Sequence, residues 1–350
     1  MFSPSQFYAL VSGKKSGPMA GLARLGLRVA EIPYGLAVWC RNRAYDSGRL
    51  RSHPCPVPVV SVGNLTLGGT GKTPMVEWIA RWFRDRGVRV AVISRGYGGR
   101  AGQGNDEAME LLHRLPDVPH IQNPDRLAAA RRAVVELGCQ AIVLDDAFQH
   151  RRMARDLDLV LLDALQPFGF EHLFPRGTLR EPISGLRRAD CVVLSRAAAI
   201  EPSAREAIRR RVAGLAPGAA WVEVDHTPQT LRNSSGQCRP ISSLTGRPVA
   251  AFCGIGNPAG FRHTLHECGY RVMGFREFAD HWGYTRVDID SLAAWAASLE
   301  VEAVVCTEKD LVKLKADHLG ARPLWAVRVA VKFLAGQSEF VSRLERFVPA

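Results

Sequence analysis

The chain has 350 residues, of which 47% are hydrophobic and 23% are charged, and its formal net charge is +12. This length and composition allow one large or two smaller folded domains and exclude a mainly disordered chain. A basic balance favours nucleic acid, an anionic membrane surface or an anionic substrate as partner, and charge alone does not choose among them. The eight cysteines form no Cys-x-x-Cys pair, which argues against a zinc site or a disulfide framework.

The N-terminal end is the most basic part of the chain. Residues 1–51 contain eight Lys or Arg and two acidic residues, so they carry +6 of the net +12. From Gly21 to Cys40, apolar residues recur every three or four positions and predict one amphipathic helix, kinked at Pro33. Its apolar face could pack on a domain core, which the pattern alone favours, or lie in a membrane interface. We expect no secretory signal and no membrane-spanning helix, since no apolar stretch reaches roughly 20 residues.

From about residue 57, short apolar runs alternate with helical patterns, which is typical of a parallel α/β sheet. Helices are predicted over Pro74–Arg86 and Pro124–Leu137, because each begins with Pro and is followed by Gly. The strands predicted here are Val57–Val62, Val88–Ser94, Ala141–Leu144, Leu157–Leu162 and Cys191–Leu194. These elements predict a core α/β domain over residues 51–224.

Residues 225–248 are polar and rich in turn-forming residues, and they predict a linker. Beyond them strands alternate with helices again, which predicts a second, smaller α/β domain over 249–350. The elements predicted there are strands Val249–Cys253, Tyr270–Phe275 and Ala303–Cys306 and helices Ala259–Cys268 and Ile289–Leu299. The predicted order is thus a helical region over 1–50, the core domain, the linker and the smaller domain.

The segment VVSVGNLTLGGTGKTP, residues 59–74, leads from an apolar strand through a glycine-rich loop into a helix. Such a loop turns successive backbone N–H groups toward phosphate oxygens, beside the positive end of the helix. Lys72 would reach the β- and γ-phosphates, and the Thr73 hydroxyl would ligate Mg²⁺. The common pattern begins with Gly where this chain has Thr66, but every other part is in order and predicts a P-loop NTPase-like site. The residues predicted to contact the nucleotide are Gly68, Gly69, Thr70, Gly71, Lys72 and Thr73.

The segment AIVLDDAFQH, residues 141–150, places Asp145 and Asp146 directly after an apolar run. Two carboxylates at a strand end repel each other and need a cation nearby. A triphosphate site in turn needs acidic ligands for Mg²⁺. The pair therefore predicts the metal side of the nucleotide site, and an exposed acidic turn is the alternative.

Other clusters are weak signals when each is read alone. The loop Arg95–Arg100 suits an anion site or a flexible turn equally well, and Asn105–Glu107 is typical of a helix cap. Charged pairs such as Arg180-Glu181 are usually solvated, and a His beside an acid, as at His281, is more often structural than catalytic. The segment Thr307–Asp310 is close to a guanine-reading motif, but its Lys stands one position too late, which indicates a chance match.

Taken together, the segments resemble one known family. In chain order, between about residues 20 and 315, they are SVGNLTLGGTGKTP, SRGYGG, NDEAMELL, NPDRLAAA, LDDAFQHRRMARDLDLVLLDA, FPRGTLREP, GIGNPAGF and FADHWGYT. They resemble the tetraacyldisaccharide 4′-kinases, which make lipid A in Gram-negative bacteria. Thr66 agrees with the resemblance, because the family carries GNLTxGGTGKTP. The chain departs from the family at Asn105 and Ala147, where the family usually has Gly.

The resemblance implies transfer of the γ-phosphate of ATP, with Mg²⁺, to the 4′-hydroxyl of an acylated glucosamine disaccharide 1-phosphate, a lipid. It also implies a peripheral enzyme on the cytoplasmic face of the inner membrane, held to the anionic surface by its N-terminal helix. For the helix over residues 21–40, the membrane interpretation thus becomes the stronger one. No nucleic acid and no obligate protein partner are implied.

The motif match also implies residue roles. Asp106 resembles the base that takes up the hydroxyl proton, with His281 as its partner and Lys72 on the phosphates. Because Lys72 and His281 lie on opposite sides of the predicted linker, we expect two domains to contribute to catalysis. The other implied residues are Thr73, Asp145, Asp146 and Glu181 for Mg²⁺, directly or through water, and Arg126, Gln149 and Arg180 for the nucleotide site.

Two other functions remain open on the residues alone. A GTP- or ATP-dependent switch or an ATPase without a lipid acceptor would share the phosphate loop and the Asp pair, although no well-placed guanine motif is present. A nucleic-acid-dependent ATPase would use the positive charge. Here, however, the basic residues lie beside an apolar helical face and not among aromatic residues suited to base stacking.

Overall fold

The computed structural model describes residues 4–96, 106–280 and 282–348, with the side chains of residues 4, 5 and 106–108 excepted. The strands are β1 Val59–Asn64, β2 Val90–Ser94, β3 His120–Gln122, β4 Ala141–Asp145, β5 Leu157–Asp163, β6 Cys191–Ser195, β7 Ala220–Arg232, β8 Cys238–Pro240, β9 Pro248–Cys253, β10 Arg271–Glu277, β11 Ala303–Thr307, β12 His318–Leu319 and β13 Arg322–Ala335. The α-helices are α1 Pro4–Val11, α2 Pro18–Asp46, α3 Lys72–Arg84, α4 Asp106–Arg114, α5 Arg126–Val135, α6 Pro202–Leu215, α7 Pro258–Glu267, α8 Arg286–Ala297, α9 Glu308–Leu314 and α10 Gln337–Glu345. Every strand and helix predicted from the sequence is present, with ends that shift by a few residues.

The described residues divide into two compact units, of which the first comprises residues 4–96, 114–225 and 331–348. Its strands lie in the order β3-β2-β4-β1-β5-β6-β7 and are parallel throughout. Strands β1, β2, β4 and β6 are buried along their whole length. This explains their continuous apolar runs, because helices cover both faces of such a sheet.

Of the described residues, the second unit comprises 106–113, 226–280 and 282–330. Its parallel strands lie in the order β10-β9-β11-β13, and β12 pairs antiparallel with β13. Apolar side chains from these strands and from α7 and α8 fill its core. The unit is thus an α/β structure of its own, as the sequence predicts.

Two predicted boundaries need correction. The linker expected over residues 225–248 contains the end of β7, all of β8 and a 3₁₀ turn. Its polar residues serve a hairpin between β7 and β8, in which the Asn233 side chain accepts a hydrogen bond from the Gln237 backbone N–H at 2.8 Å. The smaller domain expected over 249–350 is shorter than predicted, since residues 331–348 belong to the first unit. There Phe340 is fully buried, with its ring centroid 5.6 Å from that of Trp78 in α3.

The N-terminal region contains α1 and the long helix α2, which includes Pro33. The apolar residues of the predicted helical face are each more than half exposed: Leu22, Leu25, Val29, Ile32, Leu36 and Trp39. Another face of α2 contacts the rest of the first unit, since Glu31 accepts a hydrogen bond from the Leu173 backbone N–H at 2.7 Å and Asn42 donates to Glu181 at 3.2 Å. The docked side of the helix thus includes polar groups that bond to the rest of the protein, and the predicted apolar face is exposed. None of the helices in the described residues is long and apolar enough to cross a bilayer.

One close approach in the core gives a test of the fold. A Cβ atom added to Gly63 in β1 would lie 2.6 Å from the Phe148 Cβ and 2.7 Å from the Phe148 backbone N. Gly63→Ala is therefore expected to lower the free energy of unfolding by about 2 kcal/mol or more, as overpacking of a core does. Urea denaturation measures the change. Gly21→Ala is the control, because nothing lies within 4 Å of the added atom; equal stability of both variants would contradict the packing.

Candidate active site

The phosphate-binding loop connects β1 to α3, which begins at Lys72. Gly71 precedes the helix with φ of 80°, a conformation that favours glycine. The loop pairs with residues 178–180, since the Leu67 N–H donates to the Thr178 carbonyl and the Arg180 N–H donates to the Leu65 carbonyl, each at 2.7 Å. The FPRGTLREP segment thus has a structural role, because it fixes one side of the loop.

Side chains at strand ends fix the other parts of the loop. Asn64 donates to the Thr70 hydroxyl at 3.1 Å, and the buried Ser195 hydroxyl donates to the Thr70 carbonyl at 2.8 Å. Arg196, the next residue, donates to the Gly69 carbonyl at 3.3 Å. These bonds occupy carbonyl groups and the hydroxyl of the loop, so its shape is set before a phosphate is bound. Thr70, predicted to contact the nucleotide, therefore also has an internal bonding role.

Lys72 meets the acidic pair predicted from the sequence. Strand β4 lies beside β1 in parallel, with Asp145 opposite Val62, so that the carboxyl ends of both strands share one edge. Asp146 follows β4, and its Oδ1 lies 3.4 Å from the Lys72 Nζ. Arg180 donates to both oxygens of Asp146, at 2.8 and 2.9 Å. The sheet and the pairing of residues 178–180 with the loop thereby bring together three residues that are far apart in sequence.

The charges around Asp146 determine its ionisation. Burial would raise the pKa of its carboxyl group, but Lys72 and Arg180 lower that pKa to about 2. The group is therefore ionised at every pH at which an enzyme of this kind would work. With the Asp146 side chain 36% exposed and that of Lys72 12% exposed, the cluster is open to a ligand on the Asp146 side.

Arg126 shapes the turn that carries the acidic pair. Its buried guanidinium donates to the backbone carbonyls of Asp145 and Asp146, at 3.0 and 3.1 Å. Asp146 has φ of 49°, in the left-handed region that costs free energy for a residue with a side chain. The described partners of Arg126 are thus carbonyl groups, and its structural role is to hold this strained turn.

Glu181 and Gln149 form a buried network. Gln149 donates to the Asn64 carbonyl at 2.9 Å and to Glu181 Oε1 at 3.0 Å. The other oxygen of Glu181 accepts from Arg188 at 2.7 Å and from Asn42 of α2 at 3.2 Å. Glu181 is 1% exposed, and side chains already occupy both of its oxygens. It links the site to α2, and the metal role that the resemblance implies for it stays a prediction.

The remaining donors fit a magnesium ion. Mg²⁺ takes oxygen ligands and is usually held by one or two carboxylates, a hydroxyl and the phosphates of its substrate. Asp145 and Asp146 would supply the carboxylates, and Thr73 would supply a hydroxyl from the first turn of α3. Two predicted residues cannot be compared in this way, because His281 and the side chain of Asp106 lie outside the described residues.

The sequence did not single out Asn64, Ser195, Arg196, Arg188 or Asn42. Asn64 lies in the phosphate-loop segment without an assigned role, and the other four lie outside the motifs. The available signal for three of them is position, since Asn64, Ser195 and Arg196 stand where an apolar run ends. The pairing order of the strands, which one sequence does not give, is what brings Ser195 to the loop.

His150, at the end of the DDAFQH segment, gives a pH-dependent prediction. Burial, and then the positive charges of Arg126, Arg155, Arg41 and Arg152, lower its pKa to about 4. An imidazole in an unfolded chain has a pKa near 6.5, so the unfolded state binds the proton first. The stabilisation is therefore complete above about pH 6.5 and is lost as the pH falls toward 4, by up to about 3 kcal/mol.

The measurement is the free energy of unfolding of wild type and His150→Gln between pH 7 and 4. We expect the variant to lose less stability on acidification than wild type. His263→Gln is the control, because the His263 side chain is 69% exposed. Parallel curves for wild type and His150→Gln would contradict the burial of a neutral imidazole.

Known proteins match almost the whole chain. The sequence model of the tetraacyldisaccharide-1-P 4′-kinase family matches residues 23–348. A tetraacyldisaccharide 4′-kinase of Anaeromyxobacter dehalogenans is 42% identical over 343 residues, which are 92% of this chain and 90% of that protein. One of Desulfatibacillum aliphaticivorans is 35% identical over 351 residues, 92% and 93% of the two chains. The solved structure of LpxK from Aquifex aeolicus in complex with ATP has a TM-score of 0.75 and 29% identity, over 93% of this chain and 100% of that one. The chain therefore belongs to the tetraacyldisaccharide-1-P 4′-kinase family and has the α/β, P-loop NTPase-like fold that its sequence predicts.

Proposed function

We propose that the chain transfers the γ-phosphate of ATP to the 4′-hydroxyl of a tetraacyldisaccharide 1-phosphate, at the cytoplasmic face of a Gram-negative inner membrane. The observation that carries the proposal is the contact of Lys72 with Asp146 at the mouth of a glycine-rich loop, in a member of this kinase family. Nucleic acid and an obligate protein partner have no role in it.

The described residues suggest how the nucleotide is held. The ammonium group of Lys72, which pairs with Asp146, would turn to the β- and γ-phosphate oxygens. Arg180 lies within the same cluster and would neutralise further phosphate charge. Asp145, Asp146 and Thr73 would hold Mg²⁺, which when bound supplies positive charge to the phosphates. Because the loop is fixed by its own hydrogen bonds, little reorganisation is needed on binding.

The acceptor side rests on the family resemblance. Asp106 would orient the 4′-hydroxyl and take its proton as the new bond forms, and His281 would assist. A carboxylate is a weak base for an alcohol, so orientation is the larger part of its role. Asp106→Ala and His281→Ala would each lower kcat if these roles hold.

Helix α2 supports the membrane part of the proposal. Six apolar residues form its exposed apolar face, which we call the apolar stripe: Leu22, Leu25, Val29, Ile32, Leu36 and Trp39. A contiguous exposed apolar surface marks a contact with a partner or a membrane. The region around it is strongly basic, so an anionic lipid surface is complementary in both charge and polarity. The acceptor is itself a lipid, which favours the membrane over a protein as the partner.

The stripe is tested by sedimentation with phosphatidylglycerol vesicles. The double variant Leu25→Glu, Ile32→Glu is expected to weaken vesicle binding by at least about tenfold, because it places charges on the face of the helix that would enter the membrane. Val135→Glu is the control, since Val135 is 81% exposed on α5, away from the stripe. Wild-type binding of the double variant would rule out α2 as the membrane contact.

The reaction itself is tested by nucleotide consumption with and without the lipid acceptor. A kinase consumes ATP in proportion to the acceptor supplied, and it yields a lipid with a second phosphate. A switch or an ATPase hydrolyses nucleotide at the same rate without acceptor. Acceptor-independent hydrolysis, or a preference for GTP, would replace the proposal with that alternative.

A further inference from the structure

In the second unit, one carboxylate joins three loops. Asp310 is 0% exposed. The Gly254 backbone N–H lies 3.1 Å from each of its oxygens, the Tyr284 hydroxyl donates to Oδ1 at 2.9 Å, and the Thr307 hydroxyl donates to Oδ2 at 2.6 Å. The three partners belong to the GIGNP, FADHWGYT and TEKD segments. A carboxylate is thus the common acceptor of motifs that are up to 56 residues apart.

The sheet explains why these segments meet. Strands β9 and β11 are parallel neighbours, so their carboxyl ends lie at the same edge. Gly254 follows β9, and Thr307 ends β11 and caps α9, whose third residue is Asp310. A Cβ atom on Gly254 would lie 3.1 Å from Asp310 Oδ1 and 3.2 Å from the Tyr284 hydroxyl. The glycine therefore permits the close approach of the backbone to the carboxylate.

The FADHWGYT loop is held at both of its ends. At one end, the Phe278 N–H donates to the Cys253 carbonyl at 2.8 Å. At the other end, the Tyr284 ring lies 5.1 Å from that of Phe278 and 5.7 Å from that of Phe252, between centroids. The Tyr284 hydroxyl then reaches Asp310. Residues on both sides of position 281 are thereby fixed to the same part of the core.

The burial of the Asp310 carboxylate costs free energy that an apolar residue would not cost, which indicates a specific role for it. Burial raises the pKa of Asp310, against which the hydrogen bonds from Thr307, Gly254 and Tyr284 act. The same burial and the nearby charge of Asp310 raise the pKa of Tyr284, so its hydroxyl remains a donor. What the carboxylate adds is direction, since hydrogen bonds to it select one arrangement of three loops.

We propose that Asp310 is a positioning residue for the phosphate transfer, which acts through Tyr284 and Gly254 on the loop that carries His281. The proposal rests on the catalytic role proposed for His281. The TEKD segment is a chance match to a guanine-reading motif. In this proposal it instead supplies the carboxylate that positions the loop. A loop displaced by even about 1 Å would misplace the group that it carries and lower kcat.

The central test is Tyr284→Phe, which removes one hydroxyl and keeps the ring. We expect kcat to fall about tenfold with KM for ATP unchanged, because the nucleotide site is in the other unit. Asp310→Asn should lower kcat further. Tyr270→Phe is the matched control, since it removes a hydroxyl that donates to the Ile241 carbonyl at 2.9 Å within the same unit. That variant should keep the wild-type kcat.

Two further readouts separate positioning from a general structural role. In the Tyr284→Phe protein, amide hydrogen exchange over residues 278–284 should become faster, whereas exchange in β9 and β11 should not change. In a double-variant cycle, Tyr284→Phe added to His281→Ala should lower kcat no further, because the loop then has no group to position.

The possible outcomes are distinct. If His281→Ala has a lowered kcat and Tyr284→Phe does not, the positioning role is wrong and the proposed function is unaffected. If His281→Ala keeps full kcat, the role of this loop in the reaction falls and the positioning role falls with it. If the two substitutions lower kcat independently, Tyr284 does not act through His281. Should Asp310→Asn fail to fold, Tyr284→Phe and the exchange data decide alone.

Discussion

Replacing Lys72 with methionine is expected to lower kcat for phosphate transfer by about 10³-fold, because it removes the positive charge that would meet the developing charge on the phosphates. The Lys72 ammonium group lies 3.4 Å from Asp146 at the start of α3. Methionine has a similar volume, so the loop and the helix should keep their shape. Asp146 keeps Arg180 as a partner, which limits any loss of stability.

The measurement is kcat at saturating acceptor, with thermal unfolding to show that the variant is folded. Lys332→Met is the matched control, because Lys332 is an exposed residue of β13. A Lys72→Met protein that is folded and within about threefold of the wild-type kcat would remove Lys72 from the mechanism. A variant that loses ATP affinity alone would limit Lys72 to binding.

Replacing Asp146 with asparagine is expected to lower kcat by about 10²-fold or more and to raise the Mg²⁺ concentration needed for half-maximal rate. Asp146 is ionised, with a pKa lowered to about 2, and it lies between Lys72 and Arg180. An amide is a poorer metal ligand than a carboxylate and does not balance the two positive charges. Weaker metal binding and the unbalanced charges of Lys72 and Arg180 would both disturb the phosphate that is transferred.

A Mg²⁺ titration of the rate separates the metal role from simple loss of an ion pair. Asp117→Asn is the matched control, because it also breaks an Asp–Arg pair, at Arg84, where the Asp117 side chain is 53% exposed. Exposed pairs of this kind contribute little to stability. An unchanged Mg²⁺ requirement in Asp146→Asn would show that Asp146 only orients Lys72 and Arg180.

Much of the first unit could be predicted because its signals are local. The strand, the glycine-rich loop and the helix around Lys72 follow one another without a gap. This order predicts a phosphate-binding site, because the loop and the helix N-terminus direct N–H groups at an anion. The Asp145–Asp146 pair could be placed beside the loop because parallel strands end at one edge. The register of Asp145 opposite Val62 confirms that placement.

The position of α2 shows what periodicity leaves open. The pattern of Leu22, Leu25 and Val29 identifies one apolar face, but it does not say whether that face is buried. In the structure another face of the helix is the docked one, through residues such as Glu31 and Asn42. A pattern that favours a core helix thus belongs to a helix with an exposed apolar surface.

The features that sequence reasoning missed depend on contacts between distant residues. The sequence did not predict the contacts of Glu181 with Arg188, Gln149 and Asn42, which join it to distant elements. The end of the chain looks like part of the smaller domain, but Phe340 packs on α3 of the first unit. In both cases the deciding partner comes from another element, and a single sequence carries no record of that pairing.

The most direct test of the account is transfer of ³²P from γ-labelled ATP to purified tetraacyldisaccharide 1-phosphate in detergent micelles with Mg²⁺. Wild type and Lys332→Met are expected to give labelled lipid at the same rate, with the label at the 4′-position, and Lys72→Met is expected to give almost none. Release of labelled inorganic phosphate by wild type without labelled lipid would contradict the kinase assignment. Equal labelling by Lys72→Met would instead contradict the site.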